Sequence, residues 1–116
     1  LRIGVAMPED VPTEAERPRH LRLLTSPVGP FAGAAQVEVD LDQDGRVRII
    51  RIMFPDGTDY PALVARVRDV LGEPTSTGRY RSTEMTSWST RLLFVFLSRS
   101  TYEGDTSVTA MFSDPR

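Results

Sequence analysis

One amphipathic segment, residues 59–72, constrains the fold of this chain more than any other feature. Its apolar side chains recur at the three- and four-residue spacing of an α-helix and form a single stripe, whereas Ala62, Arg66 and Asp69 lie on the opposite side. A stripe of this width must be buried against another element of the chain. The stripe consists of Tyr60, Leu63, Val64, Val67, Val70 and Leu71.

The boundaries of this helix are also encoded in the sequence. Thr58 or Asp59 can cap its first turn, and Pro61 is tolerated there because the first amides of a helix have no partner within it. Gly72 and Pro74 end it. We therefore predict one main helix at about 59–72.

The segment 37–52 predicts a β-hairpin. Val37, Val39 and Leu41 alternate with acids, and the loop Gln43-Asp44-Gly45 suits a three-residue turn with glycine in the left-handed position. This register places Asp42 opposite Arg46 and Asp40 opposite Arg48. Because the alternation slips afterwards, we predict a β-bulge near Ile49-Ile50, which leads to the pairs Val37–Ile52 and Glu38–Arg51.

Further strands are predicted at both ends of the chain. Residues 1–7 and 108–112 alternate, residues 20–25 form a short apolar stretch, and Leu92 to Leu97 suits a central strand. Residues 8–19 and 98–106 are interpreted as connections. We predict an α+β fold: an antiparallel sheet of four to six strands with one main helix packed on one face. Residues 1–116 form a single domain in this prediction, with 8–35 partly irregular.

Composition excludes several classes of function. The net charge of -2 argues against a nucleic-acid partner, and the six-residue apolar run Leu92 to Leu97 is far shorter than a membrane-spanning helix. The chain has no cysteine, which excludes disulfides and thiolate chemistry. Because the sequence begins at Leu1 and not at methionine, we expect a mature or trimmed form.

One pattern resembles a metal site, and it has a structural explanation. Asp40, Asp42 and Asp44 followed by Gly45 match the start of a calcium loop, but Arg51 stands where the bidentate glutamate belongs. The hairpin register explains these acids as partners of arginines, so we expect no metal site.

Catalytic residues are not indicated either. His20 is the only histidine, and no nucleophile-elbow motif is present. The carboxylates of Glu84, Glu103 and Asp105 follow no catalytic spacing. We expect no enzymatic activity and no cofactor.

The strongest functional indication is the group Arg79, Tyr80, Arg81 and Trp88. It combines cationic and aromatic side chains, which are enriched at the energetic centres of protein interfaces. We predict that these residues bind another protein. The alternative interpretation is that Trp88 packs under the helix and Tyr80 covers a sheet edge.

Residues 60–113 resemble a bacterial envelope module. The helix ending in Leu71-Gly72-Glu73-Pro74, the later Trp88 and the two strands that follow are similar to the SmpA/OmlA lipoproteins and the β-lactamase inhibitor proteins. The resemblance implies a lipoprotein-like, periplasmic or secreted protein that binds another protein.

These observations lead to three candidate functions. The first is a non-enzymatic protein-binding or structural module of the bacterial cell envelope. The alternative is a cytoplasmic secretion-type chaperone or adaptor, because small acidic α+β proteins serve secretion systems. An enzyme with a carboxylate or serine site ranks third, and the sequence leaves the oligomeric state open.

Overall fold

The computed structural model describes residues 3–7, 13–23, 34 and 36–114. Within them, eight strands form one antiparallel sheet with the order β1-β2-β3-β4-β8-β7-β6-β5. The elements in chain order are β1 (Thr13–Arg17), β2 (His20–Leu23), β3 (Gln36–Leu41), β4 (Val47–Phe54), α1 (Tyr60–Leu71), β5 (Ser76–Tyr80), β6 (Thr83–Ser89), β7 (Phe94–Tyr102) and β8 (Asp105–Ser113).

The antiparallel sheet and its helix are confirmed, but the prediction of an α+β fold with four to six strands is wrong. The described part of the chain is mostly sheet, and eight strands are present. β1 lies where a connection was predicted, within residues 8–19, and β5 lies in a polar stretch for which no strand was predicted. The loop predicted at residues 98–106 is also wrong, because β7 and β8 continue to a two-residue turn at Glu103-Gly104.

The predicted first strand is not a regular strand in its described part. Residues 3–7 turn at Gly4, which has a φ of 82°, and Ala6 forms an isolated bridge to Arg46. Leu1 and Arg2 lie outside the described residues, as do residues 24–33 within the segment predicted to be partly irregular.

Helix α1 begins and ends where its chemistry predicts. Asp59 caps it by accepting a hydrogen bond from the Ala62 amide at 3.1 Å, and the Gly72 amide donates to the Arg68 carbonyl at 2.8 Å. Its stripe buries Tyr60, Leu63 and Val67 against one face of the sheet, which we call the near face.

The near face carries the core. Successive side chains of a strand point to opposite faces of the sheet, so every second side chain of each neighbouring strand lies under the helix and is buried there. The opposite side of the sheet, the far face, carries half-buried side chains such as Met85, Phe96 and Met111. The near-face core comprises Val37, Ile52, Phe54, Trp88, Val95, Leu97, Val108 and Ala110.

The β3–β4 hairpin has the predicted turn and a displaced bulge. Gly45 is left-handed with a φ of 77°, and Leu41 pairs with Val47. The register then shifts at once, so that Asp40 pairs with Ile49 and the predicted pairing of Asp40 with Arg48 is wrong. The pairs Glu38–Arg51 and Val37–Ile52 are observed as predicted.

Among the residues that the structure describes, no helix has both the length and the apolar character needed to cross a membrane.

The helix–sheet contact is testable at Leu63, whose side chain is 1% exposed in the core. We expect Leu63→Ala to lower the free energy of unfolding by about 2–5 kcal/mol, because it removes buried apolar contacts and leaves a cavity. Urea denaturation measures this loss.

Val70→Ala is the matched control, since Val70 lies on the same helix and is 68% exposed. We expect a change below about 0.5 kcal/mol for this exposed position. Equal losses in the two variants would contradict the packing described above.

Candidate functional site

The edge strand β5 and the turn that follows it hold three of the four residues predicted to bind a partner, Arg79, Tyr80 and Arg81. All five residues of β5, Ser76–Tyr80, are exposed, and its register with β6 runs from Ser76–Ser87 to Tyr80–Thr83 without a shift. Among the described strands, β5 has a neighbour on one side only, because it is the last strand of the sheet order. Its other side presents backbone groups to solvent.

The turn that joins β5 to β6 decides which backbone groups these are. Arg81 and Ser82 form a two-residue turn, so the flanking pair Tyr80–Thr83 is hydrogen-bonded. Hydrogen-bonded pairs alternate along an antiparallel ladder. The N–H and C=O groups of Thr77 and Arg79 therefore point away from β6.

Tyr80 and Arg81 form an exposed aromatic and cationic pair. The side chain of Tyr80 is 64% exposed, and the guanidinium carbon of Arg81 lies 5.3 Å from the centre of its ring. Arg81 has a φ of 55°, a left-handed conformation that a non-glycine residue adopts at a cost. The two side chains thus form a cation–π contact next to the turn.

Arg79 lies on the near-face side of β5, opposite Glu84. Glu84, however, is ion-paired with Arg99. Within the described residues, neither Arg79 nor Arg81 forms an ion pair with a carboxylate. The β5 edge consequently has two guanidinium groups available to a partner.

Trp88 is separated from this group. It is 1% exposed, and its indole N–H donates to the Gly72 carbonyl at 2.8 Å, where helix α1 ends. Its position on β6 places it on the near face with Thr86, whose hydroxyl lies 2.8 Å from the Tyr60 hydroxyl. The structure brings Arg79, Tyr80 and Arg81 together and places Trp88 in the core, in agreement with the alternative interpretation.

A second polar cluster lies around His20. The imidazole is 5% exposed; its Nδ1 contacts a carboxylate oxygen of Asp40, and its Nε2 lies 3.3 Å from Oε2 of Glu38. Asp40 also binds Arg51 at 2.6 Å. These contacts fasten β2 to β3 and β3 to β4. The expectation that His20 has no catalytic role stays a prediction.

A shallow cavity of about 550 Å³ adjoins this cluster. The turn after β1 and the β3–β4 turn form its walls. Its lining residues are Pro18, Arg19, His20, Asp40, Leu41, Asp42, Gln43 and Arg48.

The acids of the calcium-like pattern serve the hairpin. Oδ1 of Asp42 accepts hydrogen bonds from the amides of Asp44 and Arg46, both at 2.9 Å. Asp40 is occupied by His20 and Arg51. Across the described ranges, no group of three histidine or acidic side chains is placed to hold a metal ion.

Opposing effects set the pKa of Asp40. Burial raises this pKa. The hydrogen bonds from His20 and Arg51, together with the charges of these residues, lower the pKa by more than burial raises it, so that it lies below its ordinary value of 3.8. The charged carboxylate is therefore the form that stabilises the fold.

This direction predicts an acid-dependent loss of stability. A carboxyl group whose pKa is lowered by folding stabilises the protein above its unfolded pKa, and this contribution is lost as the pH falls through the folded pKa, below 3.8. We expect Asp40→Asn to be destabilised at neutral pH and to lose less additional stability than the wild type on acidification. Urea midpoints from about pH 6 to about pH 3 measure the difference.

The matched control is Asp44→Asn, which removes an exposed charge from the same hairpin. We expect it to follow the wild-type pH profile. An Asp40→Asn profile that also parallels the wild type would contradict the assigned role of Asp40.

Comparison of this chain with family models, with curated proteins and with solved structures finds no match. The resemblance of residues 60–113 to the SmpA/OmlA lipoproteins and the β-lactamase inhibitor proteins stays a prediction.

Proposed function

We propose that this chain is a non-enzymatic protein-binding module in which the β5 edge accepts an extended segment of a partner protein as an additional strand. The observation that carries this proposal is the outward direction of the N–H and C=O groups of Thr77 and Arg79 on an exposed strand of regular register. Main-chain groups of this kind supply the affinity when an extended peptide adds to a sheet.

The two edges of the sheet differ in a way that favours β5. At the other edge, the register of β1 shifts between Ala15 and Arg17, and Glu14 forms an ion pair with Arg22. Bulges and charges are devices that protect an edge from further pairing. The five β5–β6 pairs show no such shift.

The strands next to β5 in the sheet make it suitable for binding. β6 and β7 pair over seven residues, and their near-face side chains Trp88, Val95 and Leu97 are fully buried. β5 pairs with β6 over five residues without a register shift, so the strand is already formed when a partner adds to it, which reduces the entropic cost of association.

The bacterial cell envelope, with a periplasmic or secreted location, is our proposal for the compartment. It is supported by the resemblance of residues 60–113 alone. Cell fractionation of the complete gene product tests it, and recovery of the protein in the cytoplasm would contradict it.

The binding proposal is tested with Thr77→Pro. Proline removes the outward N–H of Thr77 and places its ring where the added strand would lie, whereas the β5–β6 ladder does not use this N–H. Ligands are linear peptides selected on the wild-type protein from a displayed library. We expect Thr77→Pro to weaken their binding at least about tenfold, consistent with the loss of roughly one hydrogen bond and with steric exclusion.

Thr77→Ala is the control, because it changes the side chain and keeps the N–H; we expect affinity close to that of the wild type. Hydrogen exchange of the Thr77 and Arg79 amides should also slow when a peptide binds. Selected peptides that bind Thr77→Pro as tightly as the wild type would contradict strand addition at β5.

A further inference from the structure

Gly78 at the centre of β5 has no conformational reason to be glycine. It lies in a regular strand pair opposite Met85, its φ is not left-handed, and a Cβ atom at this position would meet nothing within 4 Å. Glycine weakens a strand interior and often marks a place where another chain approaches closely. The missing side chain leaves space above the edge of the far face.

The surroundings of this space are apolar and aromatic. Met85 lies directly across from Gly78 and is half-buried, and Tyr80 is two residues further along β5 on the same face. A residue of an added strand opposite Gly78 is a diagonal neighbour of Tyr80. Met85 lies one strand further away, about 10 Å from that residue, so only a large side chain that lies across Gly78 reaches it. An aromatic ring there would cover the glycine and contact the methionine sulfur.

The neighbouring positions on the added strand meet a different environment. Thr77 and Arg79 flank Gly78, and their side chains lie on the near-face side of β5. Arg79 is exposed and forms no ion pair with a carboxylate within the described residues. Because the whole chain has a net charge of -2, the positive charge at this edge is a local feature.

We propose that the partner strand is acidic and alternating, with an aromatic residue opposite Gly78 and acids opposite Thr77 and Arg79. This inference rests on the proposed strand addition at β5 and specifies the chemistry of its partner. Alternation follows from the geometry of a strand, whose successive side chains point to opposite faces.

A second copy of this chain fits the same edge poorly. Its own β5 has the sequence Ser-Thr-Gly-Arg-Tyr and contains no acid. Antiparallel pairing of two β5 strands about Gly78 would place Arg79 opposite Thr77 of the copy, and no carboxylate would reach the guanidinium. The other edge strand of a copy, β1, has acids at positions 14 and 16, but the residue between them is Ala15 and not an aromatic residue, and Glu14 is ion-paired with Arg22. Charge complementarity and the aromatic position together therefore favour a different protein as the partner.

The test measures binding of labelled peptides with the central sequence Ser-Glu-Phe-Glu-Ser by fluorescence anisotropy. Matched peptides replace both glutamates with lysine, or the phenylalanine with alanine. We expect the wild-type protein to bind the Glu-Phe-Glu peptide roughly tenfold more tightly than the Lys-Phe-Lys peptide, because opposite charges attract across the pair. In Arg79→Glu this preference should reverse.

A second variant isolates the aromatic contact. Gly78→Gln fills the space with a polar, uncharged side chain that offers a ring no apolar contact, and its effect on stability should be small because the position is exposed and a Cβ there meets nothing within 4 Å. We expect this variant to lose the preference for the phenylalanine peptide over the alanine peptide and to retain the preference for glutamate. Retention of the phenylalanine preference would overturn the assignment of the aromatic position.

The outcomes separate the two proposals. If lysine and glutamate peptides bind equally and both require the Thr77 amide, the acidic partner is overturned and strand addition stands. If Thr77→Pro binds the Glu-Phe-Glu peptide normally, strand addition itself is overturned. If the wild type sediments as a dimer and Thr77→Pro as a monomer, the partner of β5 is a second copy and the acidic strand is overturned.

Discussion

The structure depends on the path of the chain from β4 in the middle of the sheet to β5 at its edge. Helix α1 makes this connection and lies over the near face of the intervening strands β8, β7 and β6. Both ends of the helix are fastened to the sheet. The Tyr60 hydroxyl contacts Thr86 and donates to the Leu97 carbonyl at 3.3 Å, and the Gly72 carbonyl accepts the Trp88 indole N–H.

The sequence predicted those elements whose signals lie within the element itself. The helix has its own stripe and caps, and the β3–β4 turn has its own glycine. The missed strand β5 and the missed end of β7 are rich in hydroxyl side chains, whereas the missed strand β1 is rich in charged ones, and in each case these residues replace the apolar alternation. The hydroxyl oxygens of Ser98 on β7 and Thr109 on β8 lie 2.8 Å apart. Because the segment 98–106 is polar, it lacks the apolar alternation that predicts a strand.

The candidate site was predicted in part for the same reason. Arg79, Tyr80 and Arg81 are adjacent in sequence and remain together, whereas Trp88 falls on the buried side of β6. The His20 cluster was missed because it depends on the pairing of β2 with β3, which no local pattern reveals. The bulge also lies one pair away from its predicted position. Asp40 therefore forms its ion pair with Arg51 and not with Arg48.

The pairing of β4 with β8 has a consequence for the way the chain folds. Each half of the sheet, β1–β4 and β5–β8, pairs consecutive strands, and among the described strands the two halves pair with each other only where β4 meets β8. The segments that meet there are separated in the chain by the helix and three strands. Closing so long a loop costs chain entropy before any contact compensates it. We therefore expect the joining of preformed halves to limit the folding rate.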